Sequence, residues 1–88
     1  MVFREAIATG VLQLSSSGIE AVKGRSKKGD VREISTIASI QAVKETPRIL
    51  PHCHTIPIEG CSVEWQIEGC NLRCTVTVRT HWRTGVEM

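Results

Sequence analysis

Cys61-Ser62-Val63-Glu64-Trp65-Gln66-Ile67-Glu68, Gly69-Cys70-Asn71 and Leu72-Arg73-Cys74-Thr75-Val76-Thr77-Val78 together decide the fold. In the first run Cys61, Val63, Trp65 and Ile67 point one way, and Ser62, Glu64, Gln66 and Glu68 point the other, which is the period of a half-buried strand. The alternation resumes after the glycine with Leu72, Cys74, Val76 and Val78. A hairpin is therefore expected, turning at Gly69-Cys70-Asn71. Matching the apolar faces sets Ile67 opposite Leu72, Trp65 opposite Cys74 and Val63 opposite Val76. Two strands alone do not make a stable sheet, so other elements must complete it.

Upstream, Asp30 to Lys44 carries Val31, Ile34, Ile37, Ala38 and Ala42 on one wide helical face, with Ile40 and Val43 elsewhere on the circumference. Asp30 is placed to cap this helix. Pro47 and Pro51 are expected to end helical structure and to leave Arg48-Ile49-Leu50 as a connector. Ser17 and Glu20 have the spacing of a capping box for a short helix from Gly18 to about Lys23. From Arg4 to Leu14, the spacing of Ile7, Val11 and Leu14 predicts an amphipathic helix, with Gly10 a point where a backbone or ligand passes close or is simply tolerated. The sum is an α+β fold of the ferredoxin-like kind, its helices on one face of an antiparallel sheet that these residues leave incomplete.

Eighty-eight residues suffice for one domain, 1–88, with a modest core. No apolar run approaches the ~18 residues that a bilayer requires, and no secretory-type segment follows Met1, so a soluble cytoplasmic protein is expected. Cys53, Cys61, Cys70 and Cys74 are accordingly read as thiols. The net charge of +2 is small, but Lys23, Arg25, Lys27, Lys28 and Arg32 cluster in one segment. Such a run is either a solvated loop or a site for a small anion. Nucleic acid fits poorly, because Phe3, Trp65 and Trp82 are the only large aromatics and Trp65 belongs to the core.

Three strings carry candidate chemistry. In Pro51-His52-Cys53-His54-Thr55-Ile56-Pro57 the prolines favour an extended backbone, which sends His52 and His54 to one side and Cys53 to the other. Two imidazoles suit general acid or base work near neutrality. A tetrahedral zinc site is the rival, but the cysteine and histidine spacings do not fit the usual ligand patterns. Arg25-Ser26-Lys27-Lys28-Gly29-Asp30 leads into a helix start, where cationic side chains and the positive helix end both favour phosphate. The third string, Arg83-Thr84-Gly85-Val86-Glu87-Met88, is a turn carrying one carboxylate.

Lys28-Gly29-Asp30-Val31, Ile40-Gln41-Ala42-Val43-Lys44-Glu45-Thr46, Ile49-Leu50-Pro51-His52-Cys53-His54 and Thr84-Gly85-Val86-Glu87-Met88 occur in an order and spacing that resemble the cyclic pyranopterin monophosphate synthases, also called molybdenum cofactor biosynthesis protein C. Arg4-Glu5-Ala6 also looks like the family's first helix. Pro51-His52-Cys53-His54 followed by Ile56-Pro57-Ile58 is most similar to the archaeal-type version.

The resemblance implies a lyase of molybdenum cofactor biosynthesis, converting a cyclised dihydro-GTP intermediate to cyclic pyranopterin monophosphate with release of pyrophosphate. Lys28, His54 and Glu87 would be its catalytic residues here, and Arg4, His52 and Cys53 would join them in binding substrate. The family implies no metal ligands and no resident cofactor, although Mg²⁺ can accompany pyrophosphate. It also implies homo-oligomers, hexamers built from dimers, with neither nucleic acid nor membrane as partner. Two departures are Thr55, where a proline usually follows the Cys-His pair, and Trp82, where glycine is common. The family's initial segment, second carboxylate and long helix with a catalytic Asp and Lys are not in these residues, so the chain is expected to be a fragment, truncated at both ends and inactive alone. The alternative is a small non-catalytic module that binds an anion or zinc.

Overall fold

A computed structural model describes residues 2–26 and 29–88. Its centre is the expected hairpin. Strand β4 (Gly60–Glu68) pairs antiparallel with β5 (Asn71–Trp82), placing Ile67 opposite Leu72, Trp65 opposite Cys74 and Val63 opposite Val76. The turn is tighter than expected: only Gly69 and Cys70 lie between the strands, and Asn71 already pairs with Glu68. Gly69 has φ +63°, the left-handed value that a two-residue hairpin turn with glycine in its first position needs.

The third strand corrects the first reading of the sequence. Residues Val2–Gln13 form not a helix but β1, which pairs antiparallel with β5 along its whole length, from Val2 opposite Trp82 to Gln13 opposite Asn71. The sheet order is β1-β5-β4. Ile7, Val11 and Leu14 do have helical spacing, but Phe3, Ile7 and Val11 are also strand formers, and β5 offers a full ladder of backbone partners. Tertiary pairing outweighs local propensity. Among the described residues, no backbone passes close to Gly10: none has an atom within 4 Å of where its Cβ would stand.

The strands account for the molecule's elongation. Twelve residues at ~3.3 Å each reach roughly 40 Å, and the longest dimension is 45 Å.

Helix α1 (Ser16–Lys23) is capped by Ser15, whose Oγ accepts from the Gly18 N–H at 3.1 Å. Ser17, the expected cap, lies inside the helix instead. Ile19 and Val22 of α1 are buried, as are Leu72 and Val78 of β5. Short strands β2 (Arg25–Ser26) and β3 (Gly29–Asp30) then pair where the sequence suggested an open loop. Lys27 and Lys28 lie outside the described residues.

Helix α2 (Val31–Ile49) starts as expected, with the Asp30 carboxylate accepting from the Glu33 N–H at 3.0 Å. It does not stop before Pro47. A proline at that position removes the hydrogen bond to the Val43 carbonyl, but the ladder resumes with Leu50 N–H donating to the Thr46 carbonyl at 2.9 Å. Arg48 and Ile49 are therefore helical rather than part of a connector.

The indole of Trp65 ties α2 to β4, donating from Nε1 to Thr36 Oγ1 at 2.8 Å. Helices and antiparallel sheet thus form the expected α+β arrangement. The core is thin: no residue of α2 is fully buried, and Ile37 remains 63% exposed. Among the described residues, no helix is long and apolar enough to cross a membrane.

Candidate functional site

Side chains of a strand alternate between its faces. Because Ala6 pairs with Val78 and Ala8 with Val76, these four side chains share the face to which Trp65 holds α2. Alanine at two successive positions on that face leaves β1 low and creates room. The room is a cleft of about 630 Å³, walled by Ala6, Ala8, Val76 and Val78 below and by Val43, Lys44, Thr46 and Pro47 of α2 at one side. Pro47, which interrupts the helical ladder, is one of these wall residues.

Two irregular segments complete the cleft. The first, after α2, brings His52, Cys53 and His54 to its rim, followed by Ile56 and Ile58. It is not extended throughout as expected. Pro51–Cys53 form a turn closed by the Cys53 N–H donating to the Leu50 carbonyl at 3.0 Å. From His54 to Glu59 the chain has no regular structure. Both imidazoles are exposed and Cys53 is half-buried, yet all three residues face the cleft.

The second segment follows β5 and supplies Thr84, Gly85, Val86 and Glu87. Its path is set partly by Arg4, whose Nη2 donates to the Arg83 carbonyl at 2.9 Å and whose Nε reaches the Trp82 carbonyl at 3.5 Å. The Glu87 side chain folds back over Gly85: a Cβ there would stand 2.7 Å from the Glu87 carboxyl carbon. Thr84 Oγ1 is buried beside the cleft and has no hydrogen-bond partner among the described residues, a polar atom that a bound molecule can satisfy.

His52, Cys53, His54 and Glu87 thus meet at one cleft, although His54 and Glu87 are 33 positions apart in sequence. Arg4 is not among its wall residues; its side chain is bonded to the backbone at the exit of β5. Lys28 lies outside the described residues. Sequence reading missed Lys44 and Thr84 as site residues, although both fall inside strings that carried the family resemblance. The missing signal was three-dimensional, because Lys44 reads as one more solvated charge on a helix until the cleft forms beside it.

All four cysteines are free. Burial pushes the Cys74 thiol above its ordinary value of 9.0, so it is a neutral packing group at neutral pH. Among the described residues, no group of three or more His, Cys, Asp and Glu side chains is disposed to hold a metal ion.

Comparison with known proteins gives this geometry a relation. A protein of Sulfolobus acidocaldarius named probable cyclic pyranopterin monophosphate synthase is 47% identical over 100% of this chain, which covers 62% of that protein. Proteins of the same name from Thermococcus kodakarensis and Methanopyrus kandleri are 42% and 43% identical over 100% and 97% of the chain, each covered to 57%. The chain therefore spans about six-tenths of the length of these curated relatives. The match to the MoaC family extends over residues 1–88, from β1 through the histidine segment to Glu87, and the chain belongs to that family.

Proposed function

We propose that this chain supplies part of the substrate site of a cyclic pyranopterin monophosphate synthase, a cytoplasmic lyase of molybdenum cofactor biosynthesis that takes a cyclised dihydro-GTP intermediate to the cyclic monophosphate and pyrophosphate. The observation that carries the reading is the meeting of His54 and Glu87 at one cleft large enough for a nucleotide-sized molecule. The names of the relatives support it.

In this reading the imidazoles of His52 and His54 offer N–H donors to the phosphates, and the cationic charge of Lys28, a residue outside the described ones, offsets part of the ligand's own. Lys44, on the α2 wall, adds to that charge. Glu87 is suited to the other end of the substrate, because its carboxylate accepts hydrogen bonds from ring N–H donors and would repel phosphate. Positioned imidazole and carboxylate groups are the types that move protons in a ring rearrangement. Cationic groups near the departing pyrophosphate stabilise the charge that develops on it.

Homo-oligomers built from dimers are part of the proposal, and the thin core and exposed apolar residues of α2 and β1 are in keeping with it. The family's second carboxylate and its Asp and Lys helix are not among these residues, so the proposal assigns substrate binding to this chain and not turnover by itself.

Calorimetric titration of the purified chain with the cyclised intermediate tests the reading. Saturable binding that weakens about tenfold or more in Lys28→Ala and in His54→Ala is expected. Binding indifferent to both changes would refute the site, and turnover by the chain alone would refute the division of labour.

A further inference from the structure

We infer that Thr80 is a positioning residue whose buried hydroxyl pins the histidine segment to the sheet; what that placement serves rests on the proposed function. Between Pro51 and Glu59 the chain has no helix or strand to hold it. A turn fixes its beginning, and its end is tied to β5 where the Glu59 N–H donates to the Arg79 carbonyl at 3.0 Å. The middle has one described anchor to the sheet. Thr80 Oγ1 donates to the Pro57 carbonyl at 2.5 Å.

The residue types make this anchor specific. Pro57 has no N–H, so its carbonyl is the one backbone polar group by which it can be held. Thr80 is fully buried, 0% exposed. Valine would fill the same volume there without a polar atom to satisfy, and a buried hydroxyl is costly unless it is bonded. Ile56 and Ile58, on either side of the anchored carbonyl, are walls of the cleft. His54 lies three residues before it, a reach of roughly 10 Å in extended chain. Thr80 itself shares the sheet face of Val76 and Val78, so the hydroxyl connects the floor of the cleft to its histidine-bearing rim.

Backbone hydrogen exchange on the wild-type chain, Thr80→Val and Thr80→Ser, together with titration of inorganic tripolyphosphate, tests the inference. In the wild-type chain the Glu59 amide, bonded to the Arg79 carbonyl two residues after the anchored carbonyl, should be protected on the scale of β5; exchange at the rate of free peptide would overturn the anchor whatever the variants do. Thr80→Val should speed exchange at the Glu59 amide about tenfold while β4 and β5 stay protected, and Thr80→Ser, which keeps the hydroxyl, should restore its protection. Tripolyphosphate affinity should fall roughly threefold to tenfold in Thr80→Val and recover in Thr80→Ser. Unchanged segment exchange in Thr80→Val, or equal loss of segment and sheet protection in both variants, would reduce Thr80 to a packing residue. Exchange that follows the hydroxyl in a chain that binds no tripolyphosphate would uphold the anchor and refute the triphosphate reading.

Discussion

Thr36 and Trp65 form a relay: the Trp65 Nε1–H donates to Thr36 Oγ1 at 2.8 Å, and the Thr36 hydroxyl donates in turn to the Arg32 carbonyl at 2.8 Å. The hydroxyl is acceptor and donor at once, so the indole sees an oxygen whose hydrogen already points into the helix. This bond fixes α2 over the sheet, and the α2 wall of the cleft depends on that placement. Both residues are only half-buried, which makes the directional bond a larger share of the contact.

Removing either partner should therefore lower stability measurably. Thr36→Val and Trp65→Phe are each expected to cost about 1 to 2 kcal/mol in thermal or denaturant unfolding. The double variant should cost less than the sum of the singles, the signature of a shared interaction. Strict additivity would mean that the bond does not contribute.

At Gly85 the issue is space rather than backbone conformation. Gly85→Ala would put a methyl group where the Glu87 carboxylate now sits, and the flexible end of Glu87 must swing away to admit it. The expected result is weaker binding of the cyclised intermediate, by about an order of magnitude, with a melting temperature close to wild type. A loss of stability as large as the loss of binding would show that the segment has a structural role instead.

Cys74 provides a pH test. Its thiol is raised by burial above 9.0 in the folded chain, so folding favours the protonated form. The corresponding stability is fully present below about pH 9 and is lost as pH rises through the folded-state value. Stability should decline above pH 9 more gently in Cys74→Val than in wild type. Near pH 8, iodoacetamide should modify the exposed Cys70 before Cys74; the reverse order would contradict the burial.

The β4–β5 register was legible because the apolar alternation admits one pairing, although the turn was read one residue too long, and Asp30 was legible as a cap because a carboxylate before an amphipathic run has few other uses. β1 was not. Ala6, Ala8 and Gly10 give its inner face no apolar stripe, and these small residues are what leave room for the cleft. The continuation of α2 through Pro47 was hidden because the proline removes one rung of the ladder, which resumes at Leu50 through a bond to the Thr46 carbonyl. His54 and Glu87 were readable as members of a motif, whereas the anchoring parts of Arg4 and Thr80 depend on partners 79 and 23 positions away. No local pattern reports such distances.

The central claim is that His54 and Glu87 face one bound molecule. Following the His54 imidazole and the Glu87 backbone amide by nuclear magnetic resonance during titration with the cyclised intermediate measures this directly. Both signals should move along a single binding curve with the same dissociation constant, and in Gly85→Ala, at the concentration that half-saturates the wild type, both should move only about a fifth as far. Movement of His54 alone, or two curves with different constants, would place the residues at separate sites and contradict the account.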